Sequence, residues 1–348
     1  MKFDKLRPSL QMLSLVGEID EFKGAWLSLS RISPERLSAL KHVATIESVG
    51  ASTRIEGAAL TDQQVEALLN GLKINSFQSR DEEEVAGYAE LMKTIFENWK
   101  LIDLSENQIK QLHGTLLKYS QKDERHKGKY KTVPNNVEAF ENGKSIGIVF
   151  KTASQFETPF KMTELVDWTR EAMTTKTFHP LLIVAVFAVT FLAIHPFQDG
   201  NGRLSRALTT LLLLKLGYLY VPYSSLESVI EANKESYYLA LRRTQTTLEN
   251  NEPDWDSWIL FFLQSMQKQK AQLEAKISRE KLLQGDLPEL GIRILELIRQ
   301  HGSLKMSEIE TFTGESRSAN RTRINELVQR GDIKRNGRGP STWYSVAL

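Results

Sequence analysis

Cysteine is absent from the 348 residues, which excludes disulfides, thiolate metal sites and cysteine nucleophiles and suits a reducing cytoplasm. Long apolar runs are also scarce. The strongest, Leu181 to Ile194, has fourteen residues, short of the ~20 that a spanning helix needs, so it predicts a buried core helix and no membrane partner. The opening Met-Lys-Phe-Asp-Lys lacks the apolar core of a signal peptide, and the expected location is cytoplasmic. No charge of one sign dominates, and a net +2 argues neither for nor against a polyanionic partner. Neither Gly-x-x-x-x-Gly-Lys-Ser/Thr nor Gly-x-Gly-x-x-Gly occurs, so P-loop and dinucleotide-binding folds do not compete. With 41% hydrophobic residues the chain can bury a real core, and its length allows two or three domains.

Against these absences stands one dense stretch, His195-Pro-Phe-Gln-Asp-Gly-Asn-Gly-Arg-Leu-Ser-Arg206. It lies between the apolar run and a second helical pattern, Leu204 to Leu216. Backbone N–H groups of Gly200, Asn201 and Gly202 at the start of that helix form a nest for anionic oxygens. Arg203 and Arg206 are three apart and project from one helix face, so both can reach one polyphosphate. Asp199 offers a hard oxygen ligand suited to Mg2+, and His195 can accept a proton from an attacking hydroxyl. Asp-Gly-Asn-Gly alone is most often a tight turn. Base, metal ligand, anion nest and two arginines within twelve residues instead describe a nucleotidyl or phosphoryl transfer site.

The stretch resembles the signature of the Fic family, His-Pro-Phe-x-Asp/Glu-Gly-Asn-Gly/Lys-Arg-x-x-Arg, with every specified position filled. The resemblance implies adenylylation: AMP passes from ATP to a Ser, Thr or Tyr hydroxyl of a target protein, the chain itself included. It implies His195 as base, Asp199 as metal ligand, a phosphate cradle at Gly200 to Gly202, and phosphate contacts from Arg203 and Arg206. Tyr237-Tyr238 stands where family members carry a tyrosine pair near adenine, so Tyr238 is an expected nucleotide contact. Gln245 replaces the asparagine of some relatives.

Upstream, apolar spacing predicts helices in Leu10 to Leu27, Leu37 to Ile46 and Val85 to Trp99, with few strands. Thr61 reads as the N-cap of a helix from Asp62 to Leu72, so Ser52 to Glu56 should end the preceding one. By periodicity alone that segment is an ordinary polar helix end closed by Gly57. The family resemblance adds that Ser52, Glu56 and Gly57 match an inhibitory pattern, Ser/Thr-x-x-x-Glu-Gly/Asn, whose glutamate pairs with the second motif arginine, here Arg206. A carboxylate in that place repels an incoming phosphate. Some relatives with this glutamate remove AMP instead, and that alternative stays open.

Asn142-Gly143 is a hairpin signal. Its arms, Asn136 to Phe140 and Ser145 to Lys151, predict a two-stranded flap with Val137, Ile146 and Ile148 available for pairing. An exposed strand edge can capture an extended target segment, and the resemblance implies this docking role. Helices are expected over Met162 to Met173, the apolar run, Leu204 to Leu216 and Leu226 to Thr244, then one long helix over 256 to 283 broken at Gly285-Asp286-Leu287-Pro288.

The remainder predicts three helices and a hairpin, the order of a winged helix. From Thr313 to Leu348 seven basic residues face three acidic ones, a net +4. The pattern permits DNA binding through Arg317, Arg321 and Arg323 on the helix Ser316 to Gln329. It suits dimerisation or protein docking equally, so a homodimer stays open, as does a DNA-binding regulator whose central domain senses nucleotide. The expected fold is mainly α, a Fic-type helical core with a short β-hairpin flap and a C-terminal winged-helix domain. The expected divisions are 1–104, an N-terminal helical region with the inhibitory helix; 105–255, the catalytic core; 256–284, a linker helix; and 285–348, the winged-helix-like domain.

Overall fold

The computed structural model describes the chain apart from residues 1, 2, 4, 5, 29–33, 72–76, 142, 143, 249, 251, 252, 286, 287, 338, 340, 341, 347 and 348. Side chains are additionally left undescribed at 28, 35, 137–149 and 278–285. The fold is mainly helical and separates into two compact units, residues 1–32 with 39–271, and residues 33–38 with 272–348.

The first unit opens with α1 (Leu10–Ser28), α2 (Pro34–Ile55) from residue 39 on, α3 (Asp62–Gly71), α4 (Arg80–Asn98) and α5 (Glu106–Leu116). Their starts follow local chemistry. Thr61 and Gln64 cap α3 reciprocally, the Gln64 N–H donating to Thr61 Oγ1 and the Thr61 N–H to Gln64 Oε1. Ser79 and Ser105 accept the third N–H of α4 and α5. The predicted helix over Leu37 to Ile46 extends to 22 residues as α2 and ends at Ile55, one residue before Glu56.

A two-stranded antiparallel hairpin follows, β1 (Val137–Glu141) and β2 (Lys144–Phe150), pairing Val137 with Phe150 and Glu141 with Lys144. Its predicted Asn142-Gly143 turn lies outside the described residues, as do the side chains of Val137, Ile146 and Ile148.

Next come α6 (Thr158–Thr175), α7 (Pro180–Ile194) and α8 (Asn201–Lys215). Pro180 at the first position and the His179 cap start α7. Nearly every one of its side chains is buried, as a helix apolar on all faces requires, and it packs between α6 and α8.

The single helix expected over Leu226 to Thr244 is two, α9 (Leu226–Glu231) and α10 (Lys234–Gln245). Asn233 leaves helical geometry at φ −125°, ψ 33°, while its Nδ2 donates to the Val229 carbonyl at 2.7 Å and closes the first piece. α11 (Asp256–Gly285) is fastened to α7 by Trp258, whose Nε1–H donates to the Ala185 carbonyl at 2.7 Å.

The second unit contains α12 (Glu289–His301), β3 (Ser303–Lys305), α13 (Met306–Thr313), α14 (Arg317–Gln329), β4 (Ile333–Asn336) and β5 (Trp343–Val346). The sheet order is β3-β5-β4, antiparallel throughout. Strand β3 was not expected from sequence, because three residues are too few for a period of two to register. Ile294, Ile298, Leu304, Ile309, Ile324, Leu327 and Ile333 form this unit's own core.

Candidate active site

The twelve-residue stretch folds as a tight loop between two buried helices. His195 terminates α7 with φ 53°, a left-handed conformation that costs a side-chain-bearing residue about 1–2 kcal/mol. Gly200, φ 78°, caps α8 where a Cβ would be strained. Asn201 is buried and closes the loop, accepting the Phe197 N–H at 2.9 Å and donating to the Phe197 carbonyl at 2.7 Å. Asn201 and Gly202 therefore belong to the first turn of α8, so their N–H groups lie among those a helix leaves unpaired.

Glu56 stands at that helix end. Its Oε1 accepts from Arg206 Nη2 at 2.8 Å. A Cβ placed on Gly202 would come within 2.1 Å of the same oxygen, so the bare glycine backbone is what lets the carboxylate approach this closely. Arg206 also donates to Ser52, from Nε to Oγ and from Nη2 to the carbonyl, each at 2.8 Å. Its Nη1 is buried without a hydrogen-bond partner among the described residues and lies beside Gly202. Burial pushes the Glu56 carboxyl up, but the charges of Arg206 and then Arg203 hold it below the usual carboxylate range.

Arg203 is buried and pairs with Glu84 at 3.0 Å and Asp199 at 3.4 Å. Arg80, at the start of α4, bridges the same two carboxylates at 2.7 and 3.3 Å. The other Asp199 oxygen accepts the Gly200 N–H at 2.8 Å. Among the described residues no three His, Asp or Glu side chains cluster as a metal cage. Asp199, a partly exposed carboxylate beside the N-terminus of α8, is the oxygen donor this loop offers a cation, and Mg2+ is commonly held by one or two carboxylates plus substrate phosphates.

Burial lowers His195 to about 4, so its imidazole is neutral near pH 7. Its Nδ1–H donates to the Leu192 carbonyl at 3.3 Å, which leaves the Nε2 lone pair free to accept a proton. Tyr237 is buried in edge contact with Trp258. Tyr238 is partly exposed and its hydroxyl donates to the Ile55 carbonyl at 3.3 Å.

Sequence reasoning missed three residues that brace the loop. His113 stacks on Phe197 at 3.8 Å; its Nδ1 accepts the Gly128 N–H, so Nε2–H donates to the Asp199 carbonyl at 3.0 Å. Lys131 Nζ donates to the Ile194 carbonyl at 3.0 Å, and Asn135 Nδ2 to the carbonyls of His195 and Phe197. Arg317, Arg321 and Arg323 lie on α14, in the second unit. Arg317 pairs loosely with Glu310 at 3.5 Å, Arg323 is forked onto Glu326 at 2.7 and 2.8 Å, and Arg321 is exposed.

Residues 103–213, from just before α5 to near the end of α8, match the model of the Fic/DOC family. The chain carries a Fic domain. Over 90 residues it is 32% identical to a probable protein adenylyltransferase of Aquifex aeolicus, which covers 26% of this chain and 27% of that protein. Over 170 residues it is 26% identical to the protein adenylyltransferase Fic-1 of Caenorhabditis elegans, covering 47% of this chain and 30% of the relative. The matched segments thus span about a third or less of these curated relatives. Among solved structures, a Fic family protein from Desulfovibrio desulfuricans aligns with 98% of this chain and 97% of its own, at TM-score 0.67 and 22% identity. A Fic-domain protein from Bacteroides thetaiotaomicron covers 86% and 98%, at TM-score 0.58 and 24% identity. The fold built around the loop is therefore shared with Fic-domain proteins along almost the whole chain.

Proposed function

We propose that this Fic domain transfers AMP from ATP to a hydroxyl side chain of a protein and that Glu56 restrains it. The observation that carries the reading is the Glu56 carboxylate, seated over Gly202 at the N-terminus of α8 and paired with Arg206. An anion already stands at the positive end of α8, where anions are favoured. The unpartnered Arg206 Nη1 beside it supplies a further donor for a phosphate oxygen.

In the proposed step neutral His195 accepts the hydroxyl proton at Nε2 while the hydroxyl oxygen forms a bond to the α-phosphorus. The bond from that phosphorus to the bridging oxygen breaks, and pyrophosphate leaves. Arg203, Arg206 and the first N–H groups of α8 face the charge on the phosphate oxygens. Asp199 would hold Mg2+, whose charge offsets that of the phosphates when bound. Tyr238 borders the space assigned to adenine, and the β1–β2 edge is assigned to the target segment. The second unit we assign to recognition, with DNA or protein as its partner, rather than to chemistry.

Glu56→Gly tests the reading. Removing a charged hydrogen-bond partner is worth about 1.5–3 kcal/mol, so incorporation of labelled AMP into the chain itself or a lysate protein should rise ten-fold to about a hundred-fold. Incorporation equal to or below wild type, in a folded variant, would return Ser52 to Gly57 to an ordinary helix end. Release of AMP from a purified adenylylated target by wild type, lost in Glu56→Gly, would assign removal instead.

A further inference from the structure

Lys131 is almost fully buried, 3% exposed, at a point where three parts of the chain meet. Its ammonium donates to three neutral acceptors: the Ile194 carbonyl at 3.0 Å, Thr152 Oγ1 at 3.0 Å and Asn135 Oδ1 at 2.8 Å. All three of its protons are matched. Ile194 is the last residue of α7, so the first acceptor is a carbonyl at the negative helix end, where a cation is favoured. Asn135 lies two residues before β1, and Thr152 two residues after β2.

The same node holds the strained backbone of His195. Asn135, fixed by Lys131 through Oδ1, donates from Nδ2 to the His195 carbonyl at 3.2 Å, and the Lys131 N–H donates to the Pro196 carbonyl at 2.9 Å. The feet of the hairpin are tied to each other by the Thr152 N–H, which donates to Asn136 Oδ1 at 3.3 Å. They are tied to α7 by the Ala153 N–H, which donates to the Ala193 carbonyl at 3.4 Å. A left-handed histidine persists only where its surroundings over-determine it, and these bonds do so.

We propose that Lys131 is a positioning residue: it holds the His195 backbone and both feet of the β1–β2 hairpin in one rigid frame, so that a hydroxyl presented along the hairpin meets the imidazole at a fixed distance. The inference rests on His195 being the proton acceptor. The ammonium acts on the imidazole electrostatically as well. Burial lowers His195 most and Lys131 lowers it further, while the hydrogen bond to the Leu192 carbonyl, Glu56 just after α2 and Asp199 from the loop raise it. Lys131 is itself lowered to about 8 by burial, with Glu157 raising and Lys161 lowering it.

The test uses the full chain carrying Glu56→Gly, with Lys131→Met, Lys131→Arg or Asn135→Ala added. The readouts are labelled AMP incorporation into a lysate protein, ATP affinity, and the His195 imidazole titration by NMR, assigned by its loss in His195→Ala. Lys131→Met should lower transfer by about 10–100-fold, the cost of a reacting group displaced by about an ångström. ATP affinity should stay within two-fold and the His195 titration should move up, because a nearby cation is removed. Lys131→Arg should keep the titration in place and recover part of the rate. Asn135→Ala, which keeps the ammonium, should lower transfer without moving the titration, and it carries the test if Lys131→Met does not fold. An unmoved titration in folded Lys131→Met, transfer within two-fold of the parent in Asn135→Ala, or a loss of ATP affinity matching the loss of rate overturns the proposal. Transfer surviving in His195→Ala would instead defeat the reading of the site, whatever the titrations give.

Discussion

Two imidazoles, His113 fully buried and His195 partly so, make the site sensitive to acid. His113 and His195 are both lowered from near 6.5 to about 4, burial being the largest cause in each. Both are neutral in the folded chain at pH 7, and the unfolded chain binds protons first as pH falls. Stability is therefore full above about 6.5 and declines as pH drops toward about 4. At pH 5 one such histidine removes about 2 kcal/mol. His113→Gln should flatten the fall in urea midpoint between pH 7 and pH 5; an unchanged slope would show that other groups govern acid unfolding. At this scale the sequence was half legible. His195, Asp199, Arg203 and Arg206 could be named because their spacing places them on one loop and one helix face. His113, Lys131 and Asn135 could not, since the groups they serve are backbone carbonyls 60 to 86 residues away, and a carbonyl carries no residue-type signal.

At the scale of elements, the last turn of α2 is received by other helices. Its carbonyls have no helical partners. Those of Ser52 and Ile55 accept from Arg206 at 2.8 Å and Tyr238 at 3.3 Å, and that of Arg54 accepts from the Gly57 N–H at 3.1 Å and from Lys234 at 3.4 Å. Arg54 forks onto Glu231 of α9 at 2.6 and 2.9 Å, and its remaining nitrogen reaches Asp62 and the Leu60 carbonyl, both at 2.9 Å. This fork sits two residues before Glu56 and anchors the end of α2 that leads into it. Periodicity could not expose it: the Leu226 to Thr244 pattern reads as one helix, and only the break at Asn233 turns α9 so that Glu231 meets Arg54. Glu231→Gln keeps the size and removes the charge. A partly shielded pair of this kind is worth about 1 kcal/mol, so AMP incorporation should rise about five-fold, less than in Glu56→Gly. The double variant should add nothing to Glu56→Gly alone. A further gain in the double would place Glu231 on a different path from Glu56.

On the scale of the whole molecule, the chemistry and the recognition proposed above fall in two different compact units. The motif residues and Glu56 lie in the first unit; the arginines of α14 lie in the second, whose aliphatic centre runs from Ile294 to Ile333. A surface that binds DNA through phosphates loses affinity with salt in proportion to the phosphates it neutralises, at a slope of about 0.9 per contact. Arg321 is exposed and available, whereas Arg323 is already forked onto Glu326 of its own helix. Arg321→Glu should therefore account for most of the loss produced by the pair Arg321→Glu and Arg323→Glu, with the salt slope reduced by about one. AMP transfer to a separate protein should stay within two-fold in both variants, because neither residue lies in the unit that holds the loop. Duplex-DNA titrations at several salt concentrations, run beside AMP incorporation on the same samples, measure both quantities. A slope and affinity unchanged by the double reversal would remove α14 as a DNA-reading helix and leave protein docking as the role of the second unit. A parallel loss of AMP transfer would mean that the second unit serves target capture as well.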